Sequence, residues 1–260
     1  MFPIQYFTDV IDQALSPPYS SLLNGITYGR SIGHLGSLYE AFRKTGLLHI
    51  MVLSGSNIAL LGAILESLLS FLPKRFAVAV IICFIVAFAI SVGLEPPTLR
   101  ATIMGSLSLL ATLFHRKTVA IYSLIITCFI MLAFQPTLVT NVSFLLSVGA
   151  TLGITLFGTS SGKEPWWYPE ELRITLSAQV FTTPVIFLYF RQISLISPLA
   201  NLAISMVVGP LMMLGFLISI VGRVSLLCTL PLAWLAEGML KYVVFVTTVS
   251  QLIPYFSLQF

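Results

Sequence analysis

The sequence predicts an all-α polytopic bundle of about eight transmembrane spans, preceded by short interfacial or partial helices. Three observations carry that expectation. Charged residues occupy 8% of the 260 positions, against about a quarter in soluble domains. Hydrophobic residues occupy 57%, and the mean hydropathy is +1.00. Apolar runs of about 20 residues, the length that crosses hydrocarbon, recur along the chain with short breaks between them. A water-soluble fold needs a polar shell, and this composition cannot supply one. In a bilayer the demand reverses: the surface must match hydrocarbon, and each helix must satisfy its own backbone.

The first 19 residues read as an amphipathic interfacial helix. Phe2, Tyr6, Val10 and Ala14 recur every fourth residue, with Phe7, Ile11 and Leu15 beside them, and Gln5, Thr8, Asp9 and Asp12 take the other side. Ser16-Pro17-Pro18 ends it. Asp9 and Asp12 lie where a secretory signal would be apolar, so a signal peptide is not expected. Residues 20–260 read as one continuous membrane domain. From Ser20 to Ile32 the chain is apolar but holds Asn24, Gly25, Gly29 and Arg30, which suits a short or partly buried helix. Leu35, Leu38, Tyr39 and Phe42 make one face of the next helix, with Gly46 placed as its C-terminal cap.

The expected spans follow at 47–72, 76–94, 98–114, 119–134, 142–157, 172–190, 194–221 and 224–253. Pro198, Pro210 and Pro231 imply tilts, kinks or breaks in the last two. The loop 158–171 carries Trp166, Trp167 and Tyr168 as an interfacial anchor, with base stacking as the alternative. Lys74, Arg75, Arg116, Lys117, Lys163, Arg173 and Arg223 fall on one side of the membrane, Arg30, Arg43, Lys44 and Arg191 on the other. The richer set is expected in the cytoplasm, which puts both termini outside.

Polar groups in hydrocarbon need partners, water or a task. Ser54-Gly55-Ser56-Asn57 falls within the first long span. It reads either as an interrupted helix exposing backbone to a solute or as a tight crossing with Asn57 as interhelical glue. Glu95-Pro96-Pro97 fits a helix start, with Arg100 one turn in. Arg100 either snorkels outward or faces a water-filled path that attracts anions. Glu237 and Lys241 are spaced to neutralise each other. Asn201 and Ser205 share a face, with Pro210 beyond, and His49 suits a structural hydrogen bond. Cys83, Cys128 and Cys228 have no metal-ligand spacing and read as small apolar residues. No carboxylate pair or histidine–carboxylate cluster marks a hydrolytic or metal site, so neither an enzyme nor a cofactor is expected.

Several of these residues also carry a resemblance. Phe42-Arg43-Lys44-Thr45-Gly46-Leu47-Leu48-His49, then Leu53-Ser54-Gly55, then Pro97-Thr98-Leu99-Arg100-Ala101-Thr102-Ile103-Met104 are followed by Ser143-Phe144-Leu145-Leu146-Ser147 and Gly153-Ile154. Thr183-Pro184 and Leu199-Ala200-Asn201-Leu202 with Pro210 complete the series. In this order the segments resemble the polytopic membrane domain of the ComEC competence proteins. Asn57 stands where that family often has histidine, Leu145 where glutamine is common and Val148 where phenylalanine is. The oligonucleotide-binding-like and metallo-β-lactamase-like nuclease domains of many members are not in this chain, and it has no His-x-His-x-Asp-His run. The chain is expected to be a bare channel domain or a piece of a longer protein.

The resemblance implies a channel passing single-stranded DNA across the bacterial cytoplasmic membrane during natural transformation, acting with other DNA-uptake proteins and lipid, and forming a homo-oligomer in one version. Ser54, Gly55, Asn57, Arg100, Ser147, Arg191 and Asn201 are the residues expected along the DNA path. His49, Glu95, Pro97, Pro184 and Pro210 are expected to shape or gate it. The alternatives are a small-solute or ion transporter built on the interrupted helix, and a structural anchor in which every polar group serves packing.

Overall fold

The computed structural model describes residues 4–48, 51, 55–115, 119–158, 170–194, 197–252 and 257–259. Ser54 and His49, the aromatic run Trp166-Trp167-Tyr168, and the basic residues Arg116, Lys117 and Lys163 lie outside them. Among the described residues the chain is helical except for one antiparallel ladder of three-residue strands, β1 (Gln192–Ser194) with β2 (Ser257–Gln259). It divides into two units, residues 1–53 with 192–260, and residues 54–191.

The first unit holds α1 (Gln5–Ala14), α2 (Tyr19–Tyr28), α3 (Ser37–Lys44), α10 (Ser197–Val221) and α11 (Leu230–Leu252). α2 is almost wholly buried, from Leu22 through Tyr28. It packs on α1, α10 and α11. Gly215 of α10 and Gly222 just past its end make room for these neighbours. A Cβ at Gly215 would overlap the Thr27 side chain, and one at Gly222 would overlap Val10. Helix α1 is amphipathic as expected, with two exchanges of face. Thr8 is fully buried because its hydroxyl donates to the Gln5 carbonyl and its own carbonyl accepts from Asn24. Tyr6 is exposed, with the Arg223 guanidinium 4.9 Å over its ring. Helix α3 ends as the sequence suggests: Gly46 has φ +74°, and Leu47 N–H closes on the Phe42 carbonyl at 2.9 Å.

The second unit holds α4 (Gly55–Leu68), α5 (Lys74–Val92), α6 (Pro96–Leu113), α7 (Ala120–Phe134), α8 (Val142–Phe157) and α9 (Glu170–Phe190). α6 is its hub, packing on α4, α5, α7 and α8. Its core is Met131, Leu138 and Phe144, surrounded by Leu99, Ile103, Cys128, Leu132, Leu145 and Val148. Asn141 caps α8, its side chain accepting from Phe144 N–H at 3.2 Å. α8 and α9 form the most extensive helix pair. Gly149 and Gly153, one turn apart, let the backbones meet: a Cβ on Gly153 would overlap the Ser177 carbonyl oxygen and lie 3.3 Å from Ala178 Cα. This small-xxx-small spacing is how helices approach closely in lipid, where no hydrophobic force drives them together.

Helix boundaries track the expected spans, with three differences. Within the run 47–72, residues 47 and 51 are non-helical and α4 ends at Leu68. Ser194 belongs to β1, so α10 starts at Ser197. The last helix, α11, begins at Leu230 rather than 224, and Cys228 sits in a 3-10 turn (Leu227–Thr229) that leads into it, inside the apolar segment 227–251 long enough to span. Among the described residues, four helices, α5, α9, α10 and α11, are long and apolar enough to cross a membrane, and α4, α7 and α8 are shorter and apolar. Large apolar side chains cover the surface, among them Phe129, Phe134, Met206 and Trp234, each more than two-thirds exposed. Such a surface suits lipid, and the chain is a helical membrane protein.

The two glycines and a control test the α8–α9 contact. Gly153→Ala, which meets rigid backbone, should cost about 2 kcal/mol or more. Gly149→Ala faces Phe181 Cβ at 3.4 Å and should cost less. Gly105→Ala in α6 meets nothing within 4 Å and should be neutral or stabilise by up to about 1 kcal/mol. Denaturant titration of the purified protein in detergent ranks the three.

Candidate functional site

The site is built on α6, whose start follows directly from sequence. Glu95 is extended (ψ 151°), and Pro96 and Pro97 fill the first helical positions, where a missing N–H costs nothing. Helix α6 then carries Thr98, Arg100 and Thr102 into the unit. Thr98 and Thr102 are buried and linked, the Thr102 hydroxyl donating to the Thr98 carbonyl at 2.8 Å.

Arg100 is half-buried, and its guanidinium lies along α4. A Cβ at Gly55 would stand 2.7 Å from Arg100 Nη2 and 3.4 Å from the Ala101 Cβ. Gly55 is therefore the vacancy into which the guanidinium fits, which joins two segments 45 residues apart in the chain. Arg100 Nε is buried and has no hydrogen-bond partner among the described residues. On α7, Cys128 lies within electrostatic range of the guanidinium.

Two further buried atoms in this unit are unpartnered, Thr127 Oγ1 of α7 and Ser147 Oγ of α8. Each of the three polar residues is next in sequence to a residue packed on the Met131–Leu138–Phe144 core: Arg100 to Leu99, Thr127 to Cys128, and Ser147 to Val148. The three atoms are carried by α6, α7 and α8, helices that pack on one another in this unit, and each keeps hydrogen-bonding capacity unspent among the described residues. Asn57, one turn into α4, is buried at 3% exposure and engaged by a partner. What this arrangement offers chemically is a charge and hydroxyls for an anionic or hydrated occupant in an otherwise apolar unit.

The remaining expected residues are placed as follows. Arg191 ends α9 in the left-handed region (φ 52°), exposed, with its guanidinium 5.9 Å over the Phe187 ring. Pro184 is exposed within α9. Asn201 and Pro210 lie on α10 in the first unit, Asn201 half-buried and partnered, Pro210 exposed within a helix that continues through it. Sequence reading passed over Thr127, Gly149 and the linked Thr98–Thr102 pair. The Thr98/Thr102 spacing of four and the Gly149-x-x-x-Gly153 pattern were legible in apolar helices, whereas Thr127 carried no local signal.

These placements coincide with the segments that carry the family resemblance. The family model described as Competence protein matches residues 27–260. The chain belongs to the competence protein family. It is 22% identical over 190 residues to ComE operon protein 3 of Bacillus subtilis (strain 168), an alignment covering 72% of this chain and 24% of that protein. It is 32% identical over 201 residues to an uncharacterised protein of Aquifex aeolicus (strain VF5), covering 77% of this chain and 46% of that one. The chain thus spans less than half the length of either curated relative. No solved structure matches this member of the competence family.

The Gly55–Arg100 contact makes a double-mutant prediction. Gly55→Ala should cost about 1 kcal/mol in the natural background, because the new methyl displaces the guanidinium. In Arg100→Ala the obstruction is gone, and the same glycine change should be near neutral or stabilising. A coupling above about 0.5 kcal/mol in denaturant stability confirms the contact, and strict additivity refutes it.

Proposed function

We propose that this competence protein is a conduit for single-stranded DNA across the bacterial cytoplasmic membrane during natural transformation. The observation that carries the reading is Arg100, its guanidinium against Gly55 and its Nε unpartnered among the described residues, in a unit where the Thr127 and Ser147 hydroxyls are also unspent. A guanidinium keeps its charge and presents donors in a fork that matches phosphate oxygens. Held in apolar surroundings without a carboxylate, it favours passing phosphates. Neutral hydroxyls let a strand slide without being trapped, as sequence-independent single-strand binding requires.

In this reading the shorter helices α4, α7 and α8 join the four long ones and α6 to make about eight crossings, with both termini outside. Ser54, Gly55, Asn57, Arg191 and Asn201 contribute to the strand's path, with His49, Glu95, Pro97, Pro184 and Pro210 fixing or gating helix ends. The protein performs no covalent chemistry itself and works with DNA-uptake partners, in the membrane lipid and as an oligomer if one copy is too narrow. A small-solute transporter is the second reading. The observation favouring it is the non-helical backbone at Leu47 and Met51, within an apolar run, since interrupted helices present backbone to small substrates.

DNA uptake in cells lacking their own copy of the gene separates these. Arg100→Ala should lower uptake of labelled DNA by about tenfold or more at equal membrane insertion, the loss of roughly one charge-assisted hydrogen bond. Arg100→Lys, which keeps charge but not the fork, should fall between. Normal uptake with Arg100→Ala returns the residue to packing. Normal DNA uptake combined with loss of a small-solute flux in vesicles favours the transporter.

A further inference from the structure

A second polar site lies wholly within the first unit. A cavity of about 290 Å³ is lined by Asp12, Ser20, Ser21, Asn24, Arg30 and His34, among others. Backbone geometry assembles it. Gly29, at φ +71°, caps α2, and Arg30 N–H returns to the Asn24 carbonyl at 3.4 Å, which swings Arg30 back over α1. There Arg30 Nη1 meets Asp12 Oδ2 at 3.5 Å, a long one-point ion pair with both side chains about two-fifths exposed. Across the cavity His34 Nε2 and the Ser21 hydroxyl are 3.0 Å apart.

Asn24 supplies the decisive atom. It is 1% exposed, and its Nδ2 is committed twice, to Asp12 Oδ1 at 2.9 Å and to the Thr8 carbonyl at 3.3 Å. Two acceptors facing the amide nitrogen fix which way the amide points. Its Oδ1 is consequently left buried with no partner, in a residue that lines the cavity. A buried acceptor in that condition calls for a hydrogen-bond donor.

The site's charge narrows the occupant. With Asp12 and Arg30 paired, the cavity is close to neutral. A simple anion is opposed by Asp12, and a metal cation by Arg30. A zwitterion suits both: its anionic oxygens extend the guanidinium's contacts with Arg30, while its ammonium donates to Asn24 Oδ1 and Asp12. We propose that this cavity binds a zwitterion bearing an N–H ammonium a few bonds from an anionic oxygen group. The phosphoethanolamine headgroup of a membrane lipid and free phosphoethanolamine share that chemistry. His34 stands on the polar stretch leading into α3, whose Glu40, Arg43 and Lys44 are exposed in the manner of a helix at headgroup level.

The test is lipid binding by the purified full chain in detergent, read by native mass spectrometry and by the shift in Tm. Phosphatidylethanolamine should bind about tenfold tighter than phosphatidylcholine, whose quaternary ammonium has no N–H to give. Asp12→Asn and Arg30→Gln, both at half-exposed positions that leave the core intact, should each reduce that preference several-fold. Asn24→Leu should abolish it where the variant folds. Displacement of the lipid by free phosphoethanolamine would support the same site with the soluble molecule as its ligand. Equal binding of the two lipids, tighter binding of phosphatidylglycerol, or no binding at all would each overturn the proposal.

Discussion

The second unit is organised by the problem of keeping a guanidinium inside an apolar bundle. Arg100 cannot shed its proton as a lysine might, and a central charge costs about 2.5 to 3.5 kcal/mol on insertion scales. The local solution is steric before it is electrostatic. Gly55 has no Cβ, so the guanidinium can lie against α4, and Pro96-Pro97 start α6 one turn before it. No carboxylate neutralises it among the described residues. A packing device alone would gain more from a leucine here, since a buried charge without a counter-ion is rarely retained for stability. The unspent Nε is the feature that a purely structural role leaves unexplained.

Close helix approach is the second constraint, and it recurs in both units. Gly153 admits the α9 backbone at Ser177, while Gly215 and Gly222 admit Thr27 and Val10. In water, apolar burial would hold such helices together; in lipid the tails are as apolar as the side chains, so contact depends on how closely backbones can come. Threonines and serines accompany these contacts and mostly satisfy themselves on their own helix, as Thr151 does on Ser147 and Ser219 on Gly215. The buried hydroxyls that do not, Thr127 and Ser147 in the second unit and Thr27 in the first, are exceptions among the described residues.

How far the sequence revealed this depends on whether the signal is local. The Pro-Pro start of α6, the Gly46 cap of α3 and the full extent of α8 at Val142–Phe157 are written in neighbouring residues, and they were legible. Hydropathy found where apolar runs occur but overstated the first, because a run of apolar residues from Leu47 does not say whether the backbone is helical. For the site, Arg100 and Gly55 were each marked by chemistry, yet their contact joins distant positions and no local pattern announces it. Thr127 was invisible for another reason: a threonine in an apolar helix usually bonds to its own backbone. Only the surrounding packing shows that this one does not.

Asn24 and Arg100 show why unspent hydrogen-bonding capacity points to function more reliably than polarity does. Asn24 is as polar as Asn57 and as deeply buried, and Asn57 has its partner. What distinguishes Asn24 is that Asp12 and Thr8 consume its donors and leave the acceptor stranded beside a cavity. Likewise Arg30 is held at one nitrogen by Asp12, whereas Arg100 has no carboxylate partner among the described residues. The two cations therefore suit different occupants. Beside a carboxylate, Arg30 presents a balanced site, matched to a ligand carrying both charges. Without one, Arg100 leaves net positive potential in an apolar unit, which suits a chain of phosphates that must be attracted and then released.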